Sequence, residues 1–273
     1  RLEDNYNLAK RTTDYPKICY DMFIDIVLKY LSSKMPDDVM TYKLNIRNRY
    51  FNCTDEERLD IESHINDMKG MFNHTQTRLR RTDINTFGAI QKALLGIEKA
   101  KVGIISRNAQ KVLLDNPTTK VCIMVNFTEP LKKLALLLGQ FNPVVINGAV
   151  PKHKRMEMLE EFQRDNDTSR LVIANMDVLS TGIDLDDKFG DRKRYVFASP
   201  NYKTMVIQQM TYRFLRANTQ SNTTIDFVYG NCKVEESSML SCLSKKACTM
   251  RDACLDSKNE NVIYPDQYPK IIC

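Results

Sequence analysis

The sequence predicts an α/β protein: a parallel sheet with helices on both faces, preceded by a mainly helical region. Two observations carry this. From about residue 117 onward, short β-branched apolar runs alternate with amphipathic stretches. Before that point the apolar residues recur at helical spacing instead. The composition, 42% hydrophobic and 27% charged over 273 residues, is that of an ordinary globular chain long enough to bury a core.

In the first part, Ile18, Met22, Ile26 and Tyr30 mark a helix over residues 14–33. Thr54-Asp55-Glu56-Glu57 is a capping box that opens a long polar helix toward residue 80, because a threonine hydroxyl and a glutamate three residues on can each satisfy a free backbone N–H. A third helical stretch covers 83–113 with an interruption near Gly103, and Pro36 and Pro117 punctuate the region. In the second part, strands are expected over 121–127, 143–147, 170–176, 194–198 and 224–229. Helices are expected over 129–140, 151–164 and 203–217, with Pro151 in a first turn, where its missing N–H costs nothing. Near-continuous apolar strands separated by helices indicate a parallel sheet buried on both sides. In such sheets ligands bind beyond the strand C-termini, so polar residues that follow strands are the candidates for chemistry. The chain therefore divides into a mainly helical accessory region over 1–116, an α/β domain over 117–231 and a cysteine-containing extension over 232–273.

Charge and cysteines exclude several classes. The net charge of +6 permits phosphate contacts, but the basic clusters at 78–81, 152–155, 192–194 and Lys245, Lys246 with Arg251 read individually as solvated faces. Eight cysteines are too sparse for a disulfide scaffold. Cys19, Cys53 and Cys122 read as buried thiols. Cys232, Cys242, Cys248, Cys254 and Cys273 contain no C-x-x-C pair and read as free thiols rather than a zinc site. No run approaches the roughly 20 apolar residues of a membrane span. The chain opens on Arg1 with no signal-like segment, and it is expected to be a fragment of a longer protein. Triplets such as Asn73-His74-Thr75 are then chance matches to a glycosylation acceptor.

Two stretches carry candidate chemistry. In Ser180-Thr181-Gly182-Ile183-Asp184, after the strand ending near Met176, Gly182 allows close backbone approach to a ligand. Ser180 and Thr181 offer hydroxyl and N–H donors to phosphate or sugar oxygens, and Asp184 can orient a ribose, a water or an arginine. An ordinary strand-to-helix turn is the alternative. In Gln209-Met210-Thr211-Tyr212-Arg213-Phe214-Leu215-Arg216, helical spacing puts Gln209, Arg213 and Arg216 on one face. Guanidinium forks there suit a polyphosphate, and a surface helix with salt-bridging arginines is the alternative.

Taken in order, the motifs resemble those of superfamily 2 helicases. T-G-x-D resembles their motif V, and Q-x-x-Y-R-x-x-R resembles motif VI, with Tyr212 where a glycine is usual. Lys120-Val121-Cys122-Ile123-Met124-Val125-Asn126-Phe127 resembles motif IV, and Ile146-Asn147-Gly148 followed by Lys154-Arg155 and Phe162 resembles a segment of Swi/Snf-like members. The run 197–202 together with Thr219-Gln220-Ser221 is similar to helicases of large cytoplasmic DNA viruses, poxvirus transcript-release helicases among them. The resemblance covers about residues 98–230.

The resemblance implies a C-terminal RecA-like lobe that closes on a first lobe, with ATP and Mg2+ held between them. The chain has no G-x-x-x-x-G-K-[ST] loop, so ATP and Mg2+ would be held mainly by the first lobe and this fragment alone is expected to be inactive. Arg213 and Arg216 would be arginine fingers, and Gln209, Asp184 and Gly182 would line the same cleft. Asn126, Phe127, Gly148, Arg155, Ser180 and Thr181 would face a DNA or RNA strand, although Phe127, ending an apolar strand, reads from its position as core first. Transcription machinery is a further implied partner, and the implied location is intracellular, in host cytoplasm or virion for a viral protein. The N-terminal helices are either an insertion between lobes or a scaffold on this one. Two rival readings remain: a non-catalytic RecA-like interaction module of a transcription complex, and an unrelated doubly wound nucleotide-binding enzyme.

Overall fold

The structure, a computed structural model, describes residues 41–77, 84–179 and 184–232. In chain order the elements are β1 (Leu44–Phe51), α1 (Asp55–Thr77), α2 (Ile84–Ala100), α3 (Val102–Asp115), β2 (Lys120–Val125), α4 (Thr128–Leu137), β3 (Val144–Ile146), α5 (Lys152–Gln163), β4 (Leu171–Asn175), α6 (Met176–Leu179), β5 (Arg194–Ala198), α7 (Thr204–Thr211) and β6 (Thr223–Gly230). The strands form one sheet in the order β1-β6-β5-β2-β4-β3, with every pairing parallel. Every carboxyl end therefore opens onto the same rim.

The two-sided burial expected from the apolar runs is present. Every residue of β2 and β4 is buried. Alternation then sorts them: Cys122, Met124, Val172 and Ala174 face Leu159, Phe162, Ile207, Met210 and Phe214 on one side. Val121, Ile123, Val125, Leu171 and Ile173 face Ile97, Ile104, Ile105, Leu131 and Leu134 on the other. Each such side chain contributes about 1.5–3 kcal/mol when fully removed from water, so the two cores are the main source of stability.

One strand departs from expectation. The region read as mainly helical supplies β1, which pairs with β6 from Leu44↔Thr223 to Phe51↔Gly230. Leu44, Ile46 and Tyr50 pack on the first core, and Phe51 belongs to the second. The intervening arginines are tolerated because β1 is an edge strand. Arg47 donates from Nε to Asp226 Oδ1 at 2.7 Å and from Nη2 to Asp226 Oδ2 at 3.0 Å, and Tyr195 donates to the same Oδ2 at 2.5 Å. Helices α2 and α3 pack on the same sheet, so sheet and core both continue across residue 117. Among the described residues, those before residue 117 contribute a strand and helices to the same sheet and its two cores.

The capping box forms as read: Glu57 N donates to Thr54 Oγ1 at 3.2 Å, and Thr54 N donates to Glu57 Oε2 at 2.9 Å. The break in the third helical stretch falls at Lys101 rather than Gly103. Lys101 turns inward there and donates to the Val228 carbonyl at 3.1 Å. Gly103 lies in the first turn of α3, where a Cβ would come 2.4 Å from Glu57 Oε1, so glycine lets α1 and α3 approach. Pro151 caps α5 from just outside its first turn.

Beneath the sheet, Lys120 and Arg194 sit 5.2 Å from the Phe162 ring centroid and are both fully buried. Lys120 donates to the Phe162 and Arg164 carbonyls at 2.5 Å each, closing the C-terminus of α5. Arg194 donates to the Leu185 and Asp186 carbonyls at 2.9 and 3.1 Å. Arg192 pairs with Asp165 and Asp167, so the 192–194 cluster is structural rather than a solvated face. Cys122 is a buried thiol as expected; Cys53, also read as buried, is only half-buried, and Cys232, read simply as a free thiol, is a buried one. The expected helix over 14–33 and the cysteines beyond Cys232 lie outside the described residues.

Candidate nucleotide and nucleic-acid face

The carboxyl rim carries Asn126 and Phe127 after β2 and Gly148 after β3. Asp184, Arg213 and Arg216 lie instead toward the amino ends of the strands: Gln163 donates to the Asp184 carbonyl at 2.7 Å and accepts from Arg194, the first residue of β5, and Thr223, the first residue of β6, donates to the Phe214 carbonyl at 3.3 Å. Ser180, Thr181 and Gly182 lie outside the described residues.

Asp184 and Arg216 meet, with Arg216 Nε 2.6 Å from Asp184 Oδ1 and both side chains partly exposed. Arg213 joins the same charge cluster. Burial lowers its pKa first and the Arg216 charge lowers it further, while Asp184 opposes both. The backbone closes the two segments together, since Leu185 N donates to the Arg213 carbonyl at 2.7 Å. Deeper contacts continue the seam. Thr219 Oγ1 donates to Asp186 Oδ2 at 3.1 Å, Ser221 Oγ donates to Asp187 Oδ2 at 2.5 Å, and Gln220 N donates to the Asp187 carbonyl at 2.7 Å. Asp186 and Asp187 are both fully buried.

The geometry of the arginines corrects the sequence reading. The expected helix over 203–217 ends at Thr211, and a 3-10 turn follows over Tyr212–Phe214. Thr211 Oγ1 bonds back to the Gln208 carbonyl at 2.8 Å, a contact that competes with helix propagation. The turn carries Phe214 fully into the core. Gln209, Arg213 and Arg216 thus do not share an α-helical face. The two arginines are brought together by the turn and by Asp184, while Gln209 stands exposed on α7. Tyr212 caps the end of α7 and is half-buried.

Gly148 and Arg155 also meet, but to shape their own loop. Arg155 donates from Nε to the Val150 carbonyl at 2.6 Å and from Nη2 to the Gly148 carbonyl at 3.2 Å. Phe127 is not part of either core and sits half-buried at the rim as α4 begins. The Asn126 amide is fully engaged: Nδ2 donates to Glu98 Oε2 at 2.7 Å and to the Pro200 carbonyl at 2.9 Å, and Oδ1 accepts from Asn201 Nδ2 at 2.7 Å.

Sequence reasoning missed Glu98, Asp186 and Asp187. Glu98 had a readable signal. Leu94, Ile97, Glu98, Lys101 and Ile105 fall at the spacing of one apolar face, so two charges occupy core positions. A charge there needs designated partners. Nothing in the sequence around Asp186 and Asp187 separates them from a solvated acidic turn.

Residues 105–218 match the helicase conserved C-terminal domain. The match takes in β2 to β5, both arginines and Asp184, and it starts within α3. The C-terminal part of the Fun30 ATPase domain superposes with a TM-score of 0.51 at 11% identity, covering 72% of this chain and 87% of that one. A SWI2/SNF2 ATPase C-terminal domain from Sulfolobus solfataricus aligns at a TM-score of 0.47 and 14% identity, covering 75% of this chain and 87% of that one. No curated protein matches the sequence. The chain has a RecA-like α/β fold, a parallel sheet with helices on both faces, shared with the C-terminal part of the Fun30 ATPase domain. Among the described residues, no helix is long and apolar enough to cross a membrane.

Proposed function

We propose that this chain supplies the second motor lobe of an ATP-driven nucleic-acid helicase or translocase. The observation that carries the reading is the junction of the two candidate motifs, where Arg216 is ion-paired with Asp184 and Arg213 lies in the same charge cluster. Two guanidiniums at one edge of the sheet, one of them ion-paired with a partly exposed carboxylate, fit the γ-phosphate of a nucleotide bound on a facing lobe. With no G-x-x-x-x-G-K-[ST] loop in this sequence, the triphosphate and Mg2+ would be held mainly by that first lobe. When bound there, Mg2+ neutralises charge on the phosphates. This chain's share is to bring Arg213 and Arg216 to the transferred phosphoryl group as the lobes close, with Asp184 releasing Arg216 toward it. Gln209, exposed on α7, would face the same cleft.

Contacts to the strand would come from the rim loops that carry Phe127 and Gly148, joined by Ser180 and Thr181. Backbone and hydroxyl contacts to phosphate and sugar are indifferent to sequence, as a stepping motor requires. Lobe closure would then change the spacing of two grips on one strand. A role in viral transcription, with an intracellular location in host cytoplasm or virion, is the finer proposal; it rests on the 197–202 run and Thr219-Gln220-Ser221.

The test uses protein carrying both lobes. Arg216→Ala and Arg213→Ala should each lower nucleic-acid-stimulated ATP turnover by about 10³-fold or more, the scale of an arginine finger, with the fold intact by circular dichroism. Turnover within a few-fold of the unmodified protein would reject the arginine assignment. It would favour a non-catalytic interaction module in a transcription complex.

A further inference from the structure

Helix α2 places a carboxylate under the rim at a position no motif covers. Glu98 is 3% exposed, yet four N–H bonds converge on its two oxygens. Asn126 N donates to Oε1 at 2.9 Å and to Oε2 at 3.0 Å, Asn126 Nδ2 donates to Oε2 at 2.7 Å, and Phe127 N donates to Oε1 at 2.9 Å. Burial pushes the Glu98 carboxyl above its ordinary pKa, and these donors, together with Lys101, act in the opposite direction. Only a group that accepts on both oxygens satisfies this set. A glutamine would turn an N–H donor toward the donors of Asn126 or Phe127.

The bonds continue beyond Glu98. The Asn126 side chain, fixed by Glu98, accepts from Asn201 Nδ2 at 2.7 Å and donates to the Pro200 carbonyl at 2.9 Å. Asn201 Oδ1 accepts from Lys203 N at 2.8 Å, the residue that opens α7. Lys203 Nζ in turn reaches Asp177 on α6 at 3.1 Å, just before the 180–183 segment. Four elements are thereby joined by polar contacts alone: α2, the loop after β2, the loop before α7, and α6. On the neighbouring position of α2, Lys99 pairs with Glu129 in the first turn of α4 at 2.6 Å, so both sides of the β2–α4 loop are anchored to one helix.

We propose that Glu98 is a positioning residue of this lobe: through Asn126 and Asn201 it fixes the loop after β2 against the start of the helix leading to Arg213 and Arg216, and so couples nucleic-acid contact to ATP turnover. The proposal rests on the motor reading above. Glu98 touches neither ligand; it sets the placement of the loop that would meet the strand relative to the helix that leads to the arginines. A contiguous hydrogen-bonded chain anchored at a buried carboxylate is the kind of connection that carries coupling between sites.

The experiment measures ATP turnover of the two-lobe protein with and without a single-stranded oligonucleotide, alongside the thermal unfolding midpoint. Asn201 is half-buried at the rim, so Asn201→Ala breaks the chain of contacts without opening a core. It should keep basal turnover and the unfolding midpoint while the stimulation by nucleic acid falls about tenfold, within the usual span of coupling between sites. Glu98→Gln should lose at least as much stimulation, and the double variant no more than Glu98→Gln alone, because the two act in series. Full stimulation in both variants would overturn the proposal and leave the motor reading standing. A lowered midpoint in Glu98→Gln with Asn201→Ala silent would make Glu98 merely structural. Unmodified protein with no ATP turnover would overturn the motor reading, and the proposal with it.

Discussion

The attachment of β1 to the sheet should show an unequal cost at the two ends of one ion pair. Asp226 is fully buried and accepts three hydrogen bonds: two from Arg47 and one from the Tyr195 hydroxyl. Arg47 is different, with 36% of its side chain exposed. Replacing Arg47 with Met removes two of the three donors and leaves a carboxylate in the interior with Tyr195 and, 3.9 Å away, Arg49. Breaking a buried pair from the cationic side costs roughly 3–5 kcal/mol, and the remaining partners place this case near 3 kcal/mol. Asp226→Asn leaves Arg47 able to turn to water and an amide that still bonds Tyr195, so its cost is about 1–2 kcal/mol. The double variant buries no charge, and its cost should fall below that of Arg47→Met alone. Urea unfolding of the chain, followed by far-ultraviolet circular dichroism, gives the three values. Equal single costs, or a double variant equal to their sum, would refute the argument that Asp226 is stabilised chiefly by Arg47 and that β1 is integral to this lobe.

Two further outcomes follow from the scaffold. Burial, then the charges of Arg194 and Arg192, lowers the Lys120 pKa to about 8 from 10.5. Above pH 8 the unfolded chain holds a proton that the folded chain has shed, so stability should rise from pH 8 to 9 by at most about 1.4 kcal/mol. Above pH 9 the gain is offset, because burial pushes Cys122 up to about 12 from 9.0 and Tyr195 up to about 12 from 10.0, and there the folded chain holds the extra protons. The rise between pH 8 and 9 should be absent in Lys120→Met; an identical slope in both proteins would rule out this titration. At the start of α1, Thr54→Ala removes the acceptor of Glu57 N. It should cost about 1 kcal/mol in the same urea assay, and a cost near zero would mean that the reciprocal cap carries no stability.

What the sequence makes legible depends on where each element lies in the sheet. The strands β2, β4, β5 and β6 could be read directly, because central parallel strands buried on both faces appear as near-continuous apolar runs, and the short edge strand β3 shows through its apolar Val144-Val145-Ile146. Edge strand β1 carries Arg47 and Arg49 between its apolar residues, and its partner lies 179 residues away, so no local window distinguishes it from the helices around it. The arginines were legible as a motif but not as a geometry. Spacing of three and four implies one helical face only while the helix lasts, and Thr211 and Phe214 end it first. Their convergence comes instead from Asp184, a contact across 32 positions that no periodicity encodes. Glu98 lies between these cases. Its place on an apolar stripe could be seen, but its partners Asn126 and Phe127 are fixed only once β2 and α2 pack against each other. Local pattern thus specifies which segments are buried. The two ends of the sheet, where long-range polar contacts decide the arrangement, take their form from the assembled fold.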